Sequence, residues 1–342
     1  MEIRVPKITV LMPVYNCELY IKEAVGSILN QTFTDFEFLI IDDASTDNTV
    51  KIIKEYNDSR IKLIEKPVNT GYTNSLNYGL KIAKGKYIAR MDGDDISFPE
   101  RFAKQIAYLD VNPDVVLCGT SYEIIGETKR TIIPENHNAI KLTLLKENCI
   151  AHPSVMIRKD VLYKFSIDYD ILKEPAEDYD MWVRLLPIGK LHNLQEVLLK
   201  YRIHTKSVSR RRNDAQEKST IETKIQLLNH LDFVLEPFEL EVLKKCYKRN
   251  ITISFSEFKI FKQIQYKLIV SNTAFFFEPV GFKKFVIELE ADVLRKCFLR
   301  QKKYSPSVYF EYLKIKYKSE VRLTSFQEFK LFSKSMIFWK IS

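Results

Sequence analysis

The sequence lacks several patterns that identify common ligand sites. Its nine glycines include no Gly-x-Gly and no Gly-Lys-Ser or Gly-Lys-Thr, which excludes the dinucleotide fingerprint and the phosphate-binding P-loop. The five cysteines are widely spread and contain no Cys-x-x-Cys, so neither a zinc site nor a disulfide framework is expected. A phosphate-bearing ligand would therefore need a metal ion held by other side chains.

Long apolar runs are also absent. Apolar runs such as residues 38–41 and 273–277 are far too short to cross a bilayer, which needs about 20 residues. The N-terminus has no apolar signal-peptide region. We therefore expect a cytoplasmic protein of the soluble globular class, as 46% hydrophobic and 28% charged residues also indicate. A chain of 342 residues can form one large domain or two ordinary ones.

An apolar run that ends in acids is the segment around which the chain is organised. The run from Tyr87 to Met91 predicts a buried strand, and three carboxylates follow it: Asp92, Asp94 and Asp95. Because like charges this close raise one another's pKa, a hard cation such as Mg²⁺ or Mn²⁺ is expected to offset them. Gly93 would let a ligand approach closely. The alternative is an acidic, solvated turn before a helix.

The first half of the chain alternates strand and helix patterns. Amphipathic helix spacing separates four apolar runs, at residues 7–14, 36–41, 61–64 and 87–91. This alternation predicts βαβ crossovers and a mainly parallel sheet that binds its ligand at the carboxyl ends of the strands. Four polar segments are therefore expected at one edge of the sheet: residues 13–16, 42–43, 69–71 and 92–95.

The pattern changes after residue 213, where Lys, Tyr and Phe accompany helical spacing. We predict one domain at residues 1–212 and a helical region at 213–342. The basic and aromatic residues of this region could form a membrane-surface or partner-binding face, or solvated faces over an aromatic core. The net charge of +9 by itself suits nucleic acid, anionic lipid or a phosphorylated substrate equally well.

Six motifs occur in one order along the chain. They are Val-Leu-Met-Pro-Val-Tyr-Asn at 10–16, Ile-Asp-Asp-Ala-Ser at 41–45, Asn-Thr-Gly at 69–71 with Asn-Tyr-Gly at 77–79, the segment 85–95, Glu-Asp-Tyr-Asp-Met-Trp at 177–182, and Tyr-Arg-Ile-His at 201–204. Together they resemble family 2 glycosyltransferases with the GT-A fold, over roughly residues 7–210. The resemblance implies an α/β fold with a Rossmann-like, mainly parallel sheet flanked by helices and a mainly helical C-terminal extension. It also implies a nucleotide and metal half at about 1–112 and an acceptor half at about 113–212.

The resemblance implies roles for residues of the nucleotide half. Asp43 would accept a hydrogen bond from the nucleotide base, whose pocket would be lined by Pro13, Val14 and Tyr15. Asp94 would bind Mn²⁺ or Mg²⁺ directly, and Asp92 would approach both the ribose and the metal. His204 resembles a late histidine that completes the metal site in some relatives, although a lone histidine can equally be structural. Further nucleotide-sugar-binding candidates are Asn69, Gly71, Asn77, Arg90 and Met91.

Residues of the acceptor half are assigned in the same way. Asp178 matches the family's catalytic base, and its rivals in the first turn of the same predicted helix are Glu177 and Asp180. A base placed opposite the leaving group takes the acceptor's proton and inverts the stereochemistry. Glu177 and Trp182 are accessory candidates beside the acceptor. His152 either touches the acceptor or only packs.

The expected activity is inverting, metal-dependent transfer of a sugar from a nucleotide-diphosphate sugar, with UDP favoured, to a glycan or lipid-linked glycan hydroxyl in surface polysaccharide synthesis. The chain lacks the transmembrane helices and the Gln-x-x-Arg-Trp segment of processive members, which favours the non-processive bacterial type, acting at the inner face of the membrane. One alternative is a sugar-phosphate nucleotidyltransferase, which would need a Gly-rich basic loop after the first strand. The other is a non-catalytic nucleotide-sugar-binding or scaffold protein. Nucleic acid is not an expected partner because no recognition motif is present.

Overall fold

The computed structural model describes residues 5–127, 130–131, 133–203, 214–317 and 320–340. The chain divides into two compact units, Met1–Thr223 and Lys224–Ser342. The functional halves divided near residue 112 and the domain boundary at 212 stay predictions.

A mixed sheet forms the centre of the first unit. Its strands are β1 (Ile8–Val14), β2 (Phe36–Asp42), β3 (Ile61–Glu65), β4 (Tyr87–Arg90), β5 (Ile96–Ser97), β6 (Val115–Ile124), β7 (Arg130–Thr131), β8 (Met156–Arg158) and β9 (Lys190–Tyr201). The order is β3-β2-β1-β4-β8-β6-β9-β5, with β7 paired to β6. Strands β1 to β4 are mutually parallel, whereas β8 runs antiparallel to both β4 and β6. The predicted α/β fold is therefore confirmed.

Helices cover this sheet because their apolar stripes face it. They are α1 (Ile21–Leu29), α2 (Thr49–Lys54), α3 (Tyr72–Ile82), α4 (Arg101–Val111), α5 (His137–Leu144), α6 (Lys159–Lys164) and α7 (Glu177–Leu185). In α1, for example, the buried side chains are Ile21, Ala24, Val25 and Ile28, the spacing of one helical face. Short 3₁₀ turns lie at His152–Ser154 and Ile171–Lys173.

The register of the parallel strands brings their carboxyl ends to one edge. Val14 of β1 pairs with Asp42 of β2, and Asp42 pairs with Glu65 of β3. On the other side of β1, Leu11 pairs with Arg90 of β4. The chain then leaves every one of these strands at the same edge, so the polar residues after them are neighbours in space.

The second unit is helical, as predicted. Helix α8 (Asp214–Leu228) crosses the division between the units, and the others are α9 (Pro237–Tyr247), α10 (Phe255–Val270), α11 (Pro279–Phe298), α12 (Pro306–Lys316) and α13 (Ser325–Met336). Aromatic rings form its core; the rings of Phe298 and Tyr312, for example, are 5.5 Å apart. Capping boxes begin α9, α10 and α13, which satisfies the backbone N–H groups exposed at a helix start.

Candidate active site

Four polar segments meet at the carboxyl edge of the sheet, as the sequence predicts. The backbone N–H of Asp43 donates to the carbonyl of Val14 at 2.9 Å, and Lys66 donates in the same way to Asp42. A Cβ atom on Gly93 would lie 2.9 Å from a methyl carbon of Val14, so the acidic loop after β4 packs directly against the end of β1. A Cβ there would force the Val14 methyl group to shift, which favours glycine at this position.

Asp43 is the centre of the first cluster. Its buried carboxylate contacts the Lys66 ammonium at 2.5 Å and accepts hydrogen bonds from the backbone N–H groups of Thr70, at 3.0 Å, and Gly71, at 2.9 Å. Burial alone would raise the pKa of Asp43, but the Lys66 ammonium and these N–H groups lower it below its ordinary value. The loop that contains Asn69 and Gly71 is thus folded around an ionised carboxylate.

Tyr15 and its neighbours lie beside this cluster. Pro13 and Val14 are buried at the end of β1, whereas the ring of Tyr15 is 48% exposed, so it is available to a ligand. Asn16 adopts a left-handed φ of 52°, which asparagine tolerates better than most residues. Its side-chain oxygen accepts from the backbone N–H of Thr46 at 2.8 Å, which connects the loops after β1 and β2.

Three carboxylates form the second cluster. One oxygen from each of Asp92, Asp94 and Asp95 lies within 4.8 Å of the others. Asp95 is buried, and burial together with the charges of the other two raises its pKa. Its Oδ1 accepts the backbone N–H of Arg202 at 2.7 Å, but its Oδ2 has no partner among the described residues. This donor set, all oxygen with one buried oxygen unused, fits a hard cation such as Mg²⁺ or Mn²⁺.

Arg90 lies between the acidic loop and the residues around His152 and α7. Its buried guanidinium pairs with Asp92 at 2.5 Å and lies 5.5 Å from the centre of the Tyr72 ring. Its Nε and Nη1 have no hydrogen-bond partner among the described residues. The charge of Arg90 also lowers the pKa of His152 and Asp178 relative to the effect of burial alone, so one cation acts on Asp92, His152 and Asp178.

His152 lies in a buried aromatic cluster. Its Nε2 is 2.8 Å from the hydroxyl of Tyr169, and its ring centre is 5.7 Å from that of Trp182. Burial, assisted by the charge of Arg90, lowers the pKa of His152 well below its usual value, so the imidazole is neutral. His152–Ser154 form a 3₁₀ turn, and strand β8 begins after it, at Met156.

The two acids predicted at the start of α7 occupy its first turn. Asp178 is partly exposed and accepts a hydrogen bond from the side-chain amide of Asn148 at 2.8 Å. Its surroundings raise its pKa through burial, opposed by the N–H of Tyr179 and by Asn148. Glu177 is buried, and its Oε2 has no partner among the described residues. Burial and the charge of Asp178 raise the pKa of Glu177 to about 8.

Several other candidates have contacts that account for their position. The amide of Asn77 donates to the backbone carbonyl of Tyr169 at 2.8 Å and accepts its N–H at 2.9 Å. Met91 is buried in the core of the sheet. Asp180 is buried and pairs with Arg184 at 2.7 Å. His204 lies outside the described residues. The ligand contacts expected of Asn77, Met91 and His204 stay predictions, and so does the place of Asp180 among the rivals for the base.

Some residues of the site are not evident from the sequence. Nothing in the local pattern indicates that Lys66 pairs with Asp43, or that Asn148 binds Asp178 across 30 positions of the chain. Tyr169 is hidden in a loop before the 3₁₀ turn at Ile171–Lys173. Arg202 could have been found from the sequence, since it lies in the Tyr-Arg-Ile-His motif. Its guanidinium donates to the backbone carbonyl of Asp94 at 2.8 Å.

The fold is shared with a solved structure. S. aureus TarS 1-349, crystallised in complex with UDP-GlcNAc, aligns with a TM-score of 0.56 and 18% sequence identity, covering 90% of this chain and 88% of that one. The likeness confirms the predicted GT-A type of α/β fold. At this level of identity the likeness shows the fold alone.

Sequence comparisons identify the family. Residues 9–172 match the family model for glycosyl transferase family 2. The chain is 33% identical over 287 residues to an uncharacterized glycosyltransferase of Haemophilus influenzae, covering 78% of this chain and 86% of that protein. It is 37% identical over 215 residues to the O-antigen biosynthesis glycosyltransferase WbnJ of Escherichia coli, covering 59% and 82% respectively. The chain belongs to glycosyltransferase family 2. None of its described helices combines the length and hydropathy needed to cross a bilayer.

Proposed function

We propose that this glycosyltransferase is inverting, metal-dependent and non-processive, and that it moves a sugar from a UDP-sugar to a hydroxyl of a glycan or lipid-linked glycan. The observation that carries the proposal is the pair of acidic groups connected by Arg90. One is the carboxylate cluster after β4, to which Arg90 is bound through Asp92. The other is Glu177 and Asp178 at the start of α7, and the positive charge of the same guanidinium lowers the pKa of both.

The carboxylate cluster is the proposed metal site. Asp94 and Asp92 would hold Mn²⁺ or Mg²⁺, with Asp95 completing the oxygen donors; His204 remains a further candidate ligand. A divalent cation there supplies Lewis-acid stabilisation of the diphosphate leaving group as negative charge accumulates on it. The contribution of the chain is to fix the cluster: Arg202 holds the Asp94 carbonyl and the Asp95 carboxylate, while Arg90 orients Asp92.

Asp178 is the proposed base. A general base must be ionised to take the proton of the acceptor hydroxyl. Glu177, with its pKa near 8, is protonated at neutral pH and can donate a hydrogen bond to the acceptor. Asp178 is stabilised as the anion by Asn148 and the Tyr179 N–H, and it is partly exposed. Asp180 is already committed to Arg184. The adjacent acids therefore suit different tasks.

The base of the donor would bind between Tyr15 and Asp43. An ionised carboxylate has about four lone-pair positions for hydrogen bonds. Asp43 uses positions for Lys66, Thr70 and Gly71, which leaves acceptor capacity for a ring N–H such as that of uracil. The exposed ring of Tyr15 can stack on a pyrimidine. A lipid-linked acceptor would bring the enzyme to the inner face of the cell membrane, with the basic C-terminal region as the proposed contact.

Release of UDP from a panel of UDP-sugars tests this function without knowledge of the acceptor. Water can replace the acceptor in a slow reaction, measured with Mn²⁺ or with EDTA. We expect metal-dependent release from one donor. Release should be at least 100-fold slower in Asp178→Asn, because general-base catalysis alone contributes about 10²–10⁴-fold. It should also be at least 100-fold slower in Asp94→Ala, which lacks a ligand of the proposed metal.

The matched control is Asp114→Asn, an exposed carboxylate that pairs with Lys190 and should leave the rate unchanged. If no donor is turned over, calorimetric titration with UDP and Mn²⁺ follows. Absence of binding in that titration would contradict the proposed donor site. UDP release that persists unchanged in EDTA would contradict the proposed metal dependence.

A further inference from the structure

Helix α13 exposes most of its large apolar side chains to solvent. Its buried positions are Leu331 and Ser335. The side chains exposed to solvent are Phe326 (75%), Phe329 (67%), Phe332 (42%) and Met336 (37%). At 100° per residue these four positions lie within an arc of about 120°. An amphipathic surface helix normally places such a stripe against the core and polar residues outside. In α13 the apolar stripe instead faces solvent.

Exposed apolar side chains continue along the chain past the end of the helix. The next three residues, Ile337, Phe338 and Trp339, are also exposed. We call the seven side chains together the aromatic face: Phe326, Phe329, Phe332, Met336, Ile337, Phe338 and Trp339. Single exposed apolar residues need no explanation, but four on one face of a helix, with three more directly after them in the chain, mark an interaction surface.

Basic residues accompany the aromatic face. Lys330 and Lys334 belong to α13, and Lys340 follows Trp339. The one acid in the sequence of α13, Glu328, lies beside the stripe next to Phe332, but it forms an ion pair with Lys316 at 2.7 Å. Lys330 lies beside the opposite edge of the stripe, next to Phe326.

The charge of the whole second unit has the same sign. Residues 224–342 contain 22 Lys and Arg against 12 Asp and Glu, whereas residues 1–223 contain 31 against 32. The net positive charge of the chain thus resides in the unit that carries the aromatic face. A field of this kind favours an anionic partner and opposes docking of a second copy of the same unit.

We propose that the aromatic face docks the enzyme on an anionic lipid bilayer. Aromatic side chains with flanking lysines are the chemistry of interfacial membrane binding: the rings enter the headgroup region and the ammonium groups meet anionic headgroups. This inference rests on the proposed transfer to a membrane-associated acceptor and names the surface that makes the contact. Its evidence is separate, because none of the residues involved belongs to the candidate active site.

Flotation of the full-length protein with lipid vesicles tests the proposal in the absence of any sugar donor. Vesicles of phosphatidylcholine with 40% phosphatidylglycerol are compared with phosphatidylcholine alone. We expect binding to the anionic vesicles and at least tenfold weaker binding of Phe326→Ser/Phe329→Ser. Lys330→Gln/Lys340→Gln should weaken binding about fivefold for each charge removed, since each is worth about 1 kcal/mol near an anionic surface. The matched control is Phe238→Ser, an exposed phenylalanine of α9, which should bind as the wild type does.

Each alternative occupant has its own signature. Equal binding of the wild type and Phe326→Ser/Phe329→Ser would overturn the proposal. So would a wild type that is dimeric by light scattering and a double variant that is monomeric, since the face would then join two copies. UDP release measured in solution on the same variants separates the two proposals: normal release without vesicle binding refutes only the membrane contact. Vesicle binding without release in any donor refutes only the transferase site.

Discussion

Two adjacent carboxyl groups at the start of α7 are held in different environments. Glu177 is buried without a partner for Oε2 among the described residues, whereas Asp178 accepts hydrogen bonds from Asn148 and Tyr179. Two neighbouring negative charges in such surroundings repel each other strongly, so the pair carries one charge near neutral pH. The hydrogen bonds place that charge on Asp178. Adjacent groups of one chemical type can then act as acid and base.

The pH dependence of kcat/KM tests this division between the two acids. Activity should fall at low pH as Asp178 becomes protonated, and should fall again above about pH 8, where the pKa of Glu177 implies loss of its proton and of its hydrogen bond to the acceptor. Glu177→Gln keeps a neutral donor, so we expect a rate within tenfold of the wild type at pH 7 and no decline above pH 8. A Gln variant that loses more than 100-fold at every pH would instead identify Glu177 as the base.

A close approach between two backbone segments explains why residue 85 is a glycine. Gly85 precedes β4, and a Cβ atom there would lie 2.2 Å from the backbone nitrogen of Thr9 and 2.4 Å from the carbonyl carbon of Ile8. Backbone atoms of a central strand cannot move aside as a side chain can. The parallel pairing of β1 and β4, which holds the acidic loop beside Val14, therefore depends on the absence of a side chain at residue 85.

Gly85→Ala should lower the free energy of unfolding of the first unit by about 3 kcal/mol or more, at the upper end of the cost of overpacking. Gly26→Ala is the matched control: it lies in α1, its Cβ would meet only the Tyr56 hydroxyl at 3.7 Å, and alanine favours a helix by about 0.8–1 kcal/mol over glycine. Urea unfolding followed by Trp182 fluorescence in a Trp339→Phe background measures both. Equal stability of the two variants would contradict the close approach.

Elements with strong local signals could be predicted from the sequence. Strands β1, β2 and β4 are continuous apolar runs because they are buried on both faces, and α7 begins with its two acids where the pattern indicates. The antiparallel β8 between β4 and β6 could not be predicted, since a three-residue strand has almost no local signal and its place depends on non-local pairing. The site shows the same limit. The sheet edge follows from strand direction, but the Lys66 and Asn148 contacts arise only in the folded chain.

At the scale of the whole molecule, chemistry and charge are divided between two units. The proposed donor and base residues among the described positions belong to Met1–Thr223, where positive and negative residues nearly balance. The excess of basic residues and the aromatic face belong to Lys224–Ser342. The unit that contains the proposed catalytic residues is close to neutral, so the field at the site is set locally by the acids and by Arg90. The other unit, with its excess of basic residues, can supply the long-range attraction to an anionic surface.

Ligand binding should therefore stabilise the two units unequally. Scanning calorimetry is expected to resolve two transitions. UDP with Mn²⁺ at 100 times its Kd should stabilise the first unit by about 2.7 kcal/mol, because a ligand that binds only the folded state adds RT ln(1 + [L]/Kd). For a unit of this size that is a rise in Tm of roughly 5–10 °C. The transition of the second unit should not move. Trp182 and Trp339 fluorescence, each measured with the other tryptophan replaced by phenylalanine, assigns the transitions.

Asp94→Ala is the control that connects this shift to the metal site. Removal of one of three close carboxylates relieves their repulsion, so the variant should unfold at or above the wild-type temperature without ligand and show little shift with UDP and Mn²⁺. A single transition, or an equal rise of both, would mean that the two units unfold as one cooperative body.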